Sequence, residues 1–184
     1  HGVEACQFLV DLYGCSPEEI RNSSSAFGNG NVAFTLGGGS DIDSLQANFT
    51  DLDFGAMLIP PKNEGDTSYS NIGGENLVMY SASKKQNEAF QFIEYLSKTQ
   101  NSEKIAKYTG NFSAMKSLAK TDNQLKQVVL EQLNTAVARP QLNGWLEVND
   151  NYLASALETI LNGGDIQKNL DDAVKTANAA LGLQ

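Results

Sequence analysis

Gly37-Gly38-Gly39-Ser40 is the stretch of this sequence best suited to hold a ligand. Glycines let a ligand approach the main chain, and a helix beginning at Ser40 or Asp41 would present unpaired N–H donors at the same place. The chemistry open to this turn is narrow. No Lys follows the glycines, which rules out the phosphate loop GxxxxGK[ST], and no GxGxxG with a downstream acid is present. Gly38-Gly39-Ser40-Asp41-Ile42 fails the nucleophile pattern GxSxG because Ile42 occupies the last glycine position. The only histidine is His1, so a serine nucleophile here has no imidazole base, and a His-rich metal site has no ligands. A tight strand-to-helix turn with no ligand is the plainer reading of the same residues.

Four acids lie close by: Asp41, Asp43, Asp51 and Asp53. Asp41-Ile42-Asp43 lacks the Gly and the terminal Glu of a calcium loop. Two carboxylates can run a glycosidase, but only at a fixed spatial separation that sequence does not give. A solvated acidic face, with Asp41 stabilising a helix start, accounts for them more simply. Trp145 is the only tryptophan and sits in Asn143-Gly144-Trp145, ahead of a helix and off any apolar stripe. Such a ring serves either recognition or core anchoring. Tyr108, at the end of a helix, is a second aromatic candidate. Glu75, beside Gly73-Gly74 at a strand start, can accept hydrogen bonds from ligand hydroxyls or simply face water. Cys6 and Cys15 form neither a disulfide framework nor a zinc motif. They read as two small thiols, with a local bridge as the alternative in an oxidising compartment.

Apolar spacing sets the elements that must position these residues. Helices are expected over 3–13, from Ser16 onward, and from Ser40 or Asp41 through Phe49. Strands are expected over 31–36, 53–59 and 76–81, with polar loops over 22–30 and 62–71. Beyond that the sequence reads as helical. Ser83, Asn101, either Asp122 or Asn123, and Asp165 are placed as caps, and Gly110 and Gly163-Gly164 as stops, with a short turn over 114–120 and a helix over 152–161. Strands alternating with helices, then a helix-rich second half, give an α/β class. Three strands are few for a doubly wound sheet of this length.

The 184 residues fit one domain or two small lobes and suffice for a real core. Basic residues number 13 and acidic residues 22, a net charge of −9. That excludes nucleic acid, whose phosphates demand a basic face, and disfavours an anionic membrane surface. No apolar run approaches the length of a spanning helix. No cofactor or metal motif is present.

The order of these features resembles one family. Phe27-Gly28-Asn29-Gly30-Asn31-Val32-Ala33-Phe34 is similar to a stretch of the extracellular sugar-binding proteins that feed ABC importers. Phe54-Gly55-Ala56-Met57-Leu58-Ile59-Pro60 looks like their hydrophobic strand followed by proline. Ser70 to Leu77 resembles their Gly-Gly segment, and Ser83 to Ser97 resembles their S-x-x-K-x-x-A-x-x-F-I-x-Y-L helix. Tyr108-Thr109-Gly110-Asn111-Phe112, Arg139-Pro140 and Leu157 to Gly163 continue the family order. The sequence departs from it at Val32-Ala33-Phe34, at Gly38-Gly39-Ser40, where many relatives carry an aromatic, and at Ser113, where they carry proline. These departures bear on which ligand is held more than on the family.

The resemblance implies part of a two-lobed, periplasmic-binding-protein-like fold that closes on its ligand by a hinge, as such proteins do. It also implies a chain corresponding to the C-terminal portion of a longer protein. Residues 1–72 and 135–184 would belong to the second lobe and 76–130 to the first. The implied ligand-binding residues are Gly38, Gly39, Ser40, Gly74, Glu75, Tyr108 and Trp145. Sugars suit such a set, offering hydroxyls to backbone donors and planar acceptors, and ring faces to an aromatic plate. The implied function is non-catalytic capture of a sugar or oligosaccharide outside the membrane, by a lipid-anchored protein that delivers it to the importer's permease. A sensor of the same fold and a carbohydrate-active enzyme using two carboxylates are the alternatives. Self-association of the piece through exposed lobe surface is also expected.

Overall fold

A computed structural model describes residues 1–21 and 23–182. Asn22, the first residue of the expected 22–30 loop, lies outside the described residues. In chain order the elements are α1 (Gly2–Gly14), α2 (Gly39–Asn48), β1 (Ser70–Ile72), α3 (Gln86–Ser97), α4 (Thr99–Thr109), α5 (Gln124–Gln132), β2 (Ala136–Ala138), α6 (Trp145–Glu147), α7 (Ala154–Leu161) and α8 (Ile166–Leu181). Single 3₁₀ turns lie at Glu18–Ile20, Lys116–Leu118 and Leu133–Thr135, and a π-helical stretch, Val148–Leu153, joins α6 to α7. The chain divides into two compact units, His1–Ala26 with Pro140–Gln184, and Phe27–Arg139.

In the first unit α1, α7 and α8 pack on one another. Cys6, Ala156, Ile160 and Ala177 are its buried residues from these helices, and Ile160 is only 1% exposed. Asp165 caps α8 as expected, accepting from the Lys168 N–H at 2.7 Å. Gly163, at φ +93°, ends the preceding helix. Both cysteines are free thiols, Cys6 buried and Cys15 exposed.

The second unit holds the sheet, two three-residue strands paired in parallel with Ser70 opposite Ala136 and Ile72 opposite Ala138. Buried Gln132, at the end of α5, ties three segments together. Its Oε1 accepts from the Ile59 N–H at 2.8 Å and the Ser68 hydroxyl at 3.0 Å, and its Nε2 donates to the Thr135 hydroxyl at 3.1 Å. Of the two residues offered as its start, Asp122 and Asn123, it is Asn123 that caps α5. Asn101 does not cap α4. It is buried inside the helix and donates to the Tyr95 carbonyl at 2.6 Å. Ser83 lies ahead of α3, where its hydroxyl accepts from the Lys85 N–H.

None of the three expected strands is paired among the described residues. Residues 31–36, 53–59 and 76–81 carry the right apolar composition, but a strand exists only where another strand completes its hydrogen bonds. Many of their side chains are exposed, Phe34 at 81% and Val78 at 85%, while Val32, Phe54, Ala56 and Leu58 are half-buried and Phe54 meets the Phe27 ring edge-on. The two strands that do form fall at the end of the expected 62–71 loop and just beyond α5.

Candidate functional site

The glycine turn is built by the start of α2. Gly38 is the N-cap, two or three residues earlier than the expected Ser40 or Asp41, and Asp41 is the third residue of the helix. Its Oδ2 reaches back to accept from the Gly38 N–H at 2.7 Å. Asp41 is thus a helix-start acceptor that satisfies one orphan donor and favours the positive end of the helix dipole. Gly39 is buried, and Gly38 and Ser40 are half-buried.

Gly39 is needed for packing. A Cβ there would stand 3.2 Å from the Gly110 carbonyl oxygen and 3.4 Å from the Phe112 ring. Gly110 ends α4 in the left-handed region at φ +73°. A Cβ on it would stand 2.6 Å from Asp43 Oδ2 and 3.3 Å from the Ser40 Cα. Two main chains therefore meet where only glycines fit, the first turn of α2 against the end of α4. Tyr108 lies two residues before Gly110 and is 93% exposed, its ring free. The structure thus brings the Gly38–Ser40 turn and the Tyr108 helix end together.

Lys126 holds this junction, and sequence reasoning missed it. Its Nζ lies 2.5 Å from Asp43 Oδ2 and donates to the Gly110 carbonyl at 3.1 Å. Its side chain is only 12% exposed. The available signal was slight: a lone Lys three positions after the Asn123 cap, in a helix otherwise marked by Leu125, Val128 and Val129.

The other candidates are carried by other segments. Gly74 and Glu75 follow β1, both exposed. A Cβ on Gly74 would meet nothing within 4 Å, and no hydrogen bond holds Glu75 among the described residues. Trp145 belongs to the other unit. It is the first residue of α6 rather than part of a loop, behind Gly144 at φ +81°, whose missing side chain leaves room for Leu181. Its ring is half-buried, and its indole N–H is buried without an acceptor in the protein. Any contact Trp145 offers a ligand is through its ring face, not that donor.

A polar depression of about 200 Å³ lies in the same unit between α7 and α8, lined by Tyr152, Thr159, Asn169, Asp172 and Thr176 among others. Its groups are already engaged. The Thr159, Asn169 and Thr176 side chains donate to helix carbonyls. A hydrogen bond to Glu147 raises the Tyr152 phenol above its usual range. Hydrogen bonding and attraction between Lys168 and Asp172 lower the carboxyl and raise the ammonium.

A sequence profile of bacterial extracellular solute-binding proteins matches residues 3–130. The chain belongs to that family. The fold agrees with this solute-binding identity. An ABC substrate-binding protein from Listeria monocytogenes, solved in complex with cycloalternan, superposes with a TM-score of 0.69 at 20% identity. The match covers 99% of this chain and 50% of that one, so this solute-binding chain spans about half the length of its structural relative. No curated protein matches it by sequence. The observed fold is a helix-rich α/β piece with a small parallel sheet, matching half of a periplasmic-binding-protein structure. No described helix is long and apolar enough to cross a membrane.

Proposed function

We propose that this solute-binding chain acts as the C-terminal half of a larger clamp that takes a sugar or oligosaccharide outside the membrane. The clamp delivers its cargo to the permease of an ABC importer and performs no chemistry on it. In the complete protein a lipid anchor keeps the clamp at the cell membrane. The ligand-binding set is Gly38, Gly39, Ser40, Gly74, Glu75, Tyr108 and Trp145.

One observation carries this reading. The free ring of Tyr108 stands at the end of a helix whose Gly110 touches the N-terminal turn of α2. An aromatic face beside backbone donors is what a neutral sugar needs, a plate for its ring and partners for its hydroxyls. The cycloalternan bound by the structural relative supports an oligosaccharide over a charged ligand. The net charge of −9 suits a neutral cargo. Two nearby carboxylates are already engaged, Asp41 by the Gly38 N–H and Asp43 by Lys126, which supports binding rather than catalysis. The exposed apolar residues of the unpaired segments support a piece completed by further chain, and self-association when it stands alone.

Calorimetric titration with cycloalternan and a series of neutral oligosaccharides tests the reading. The 184-residue chain is expected to bind weakly and a version extended to the relative's length more tightly. Equal affinity of the two overturns the half-clamp, and glycan turnover lost on changing one carboxylate overturns the non-catalytic reading. Trp145 emission is expected to respond to the bound sugar. An unchanged spectrum at proven saturation removes Trp145 from the set.

A further inference from the structure

We infer that Lys126 is a positioning residue that sets the separation between Tyr108 and the backbone donors of α2, an inference that rests on reading those groups as the ligand edge. No side-chain carbon separates the Gly39 and Gly110 main chains, and one added to Gly39 would stand 3.2 Å from the Gly110 carbonyl oxygen. Their spacing therefore depends on what draws them together. The groups facing each other across the junction are electronegative acceptors, the Asp43 carboxylate from α2 and the Gly110 carbonyl from the end of α4. Lys126 supplies the donors between them, at 2.5 Å to the first and 3.1 Å to the second.

A lysine that is 12% exposed is held by such partners, since burying an ammonium without them is costly. Lys126 is itself fixed by its helix. Asn123 caps α5 through the Leu125 and Lys126 N–H groups, and its Nδ2 donates to Gln46 Oε1 of α2 at 3.0 Å. The start of α5 therefore grips α2 at two points and the end of α4 at one. Removing the ammonium leaves two acceptors opposed, and the α4 end that carries Tyr108 moves away from α2.

The test uses the full 184-residue chain titrated with cycloalternan and neutral oligosaccharides by calorimetry. Lys126→Met, Tyr108→Ala and the double variant are compared with wild type, and circular dichroism confirms folding. Asp43→Asn serves as a second break of the same pair should Lys126→Met not fold. Lys126→Met is expected to weaken binding about tenfold, and the double variant to bind no more weakly than Tyr108→Ala alone, because Lys126 acts through Tyr108. A merely structural lysine lowers the melting temperature and leaves the affinity of the folded chain unchanged, so unchanged affinity overturns the inference. Additive losses in the double variant overturn it as well. Wild-type chain that binds no member of the series removes the ligand edge itself, and the positioning role with it. Binding by wild type with full affinity in Lys126→Met removes Lys126 alone.

Discussion

Gly110→Ala probes the α2–α4 junction most directly. The glycine sits at φ +73°, where an L side chain costs about 1 to 2 kcal/mol. Its new methyl group would also stand 2.6 Å from Asp43 Oδ2 and 3.3 Å from the Ser40 Cα. The carboxylate can swing away, but it then leaves Lys126, and Ser40 is main chain and cannot yield alone. Overpacking of this kind costs about 1 to 3 kcal/mol. The expected loss is therefore roughly 3 kcal/mol. Gly65→Ala supplies the control, in the same unit and at φ +87°, with nothing within 4 Å of its Cβ. It should lose only the conformational part. Urea denaturation reads the difference: at an m-value of about 2 kcal/mol/M the two midpoints should differ by about 1 M, with m unchanged. Equal midpoints for the two alanines would refute the close approach of α2 and α4, and with it the geometry on which the ligand edge rests.

Three further outcomes follow from other parts of the molecule. Ile160→Ala should cost about 3 to 4 kcal/mol, the largest loss among the α1, α7 and α8 contacts, because the side chain is 1% exposed and leaves a cavity; thermal denaturation measures it. Gln132→Leu should cost about 2 kcal/mol and speed amide exchange at Ile59, since that N–H loses its acceptor while the Ser68 and Thr135 hydroxyls keep the Ile59 and Gln132 carbonyls; unchanged exchange at Ile59 would count against the tie. Lys168 and Asp172 set a pH dependence with two limbs. The lowered Asp172 carboxyl stabilises above its unfolded pKa, and that contribution is lost as pH falls through the folded value. The raised Lys168 ammonium stabilises below its unfolded pKa, and that contribution is lost as pH rises through its folded value. Stability of Asp172→Asn relative to wild type should therefore converge at acid pH and in high salt, and a gap that persists in acid would refute the pairing.

The sequence was most legible where structure is local. Caps at Asn123 and Asp165 and stops at Gly110 and Gly163 depend on a few neighbours, and each lies where its residue type predicts. Asn101 misled because a buried amide inside a helix and a capping amide share one letter, and only the Tyr95 carbonyl distinguishes them. The start of α2 moved to Gly38 because glycine, without a side chain to cap, let Asp41 do the work from inside the helix. The junction of α2 with α4 was hidden for another reason. Asp43 and Lys126 are 83 positions apart, and nothing near either one announces the other. Pairings of that kind live in the topology and emerge only when the helices are placed.

The unpaired apolar segments join these two lessons. Residues 31–36, 53–59 and 76–81 have the composition of strands, yet they stay unpaired, with Leu36, Met57, Leu77 and Tyr80 exposed beside Phe34 and Val78 and only alternate residues such as Phe54, Ala56 and Leu58 half-buried. Composition reports what a segment would do given a partner, and the partner is a separate requirement. A single apolar residue at the surface needs no explanation, but three runs together cost solubility and invite association. Strand propensity without strand pairing therefore records a requirement for a neighbour that these three segments do not meet among the described residues.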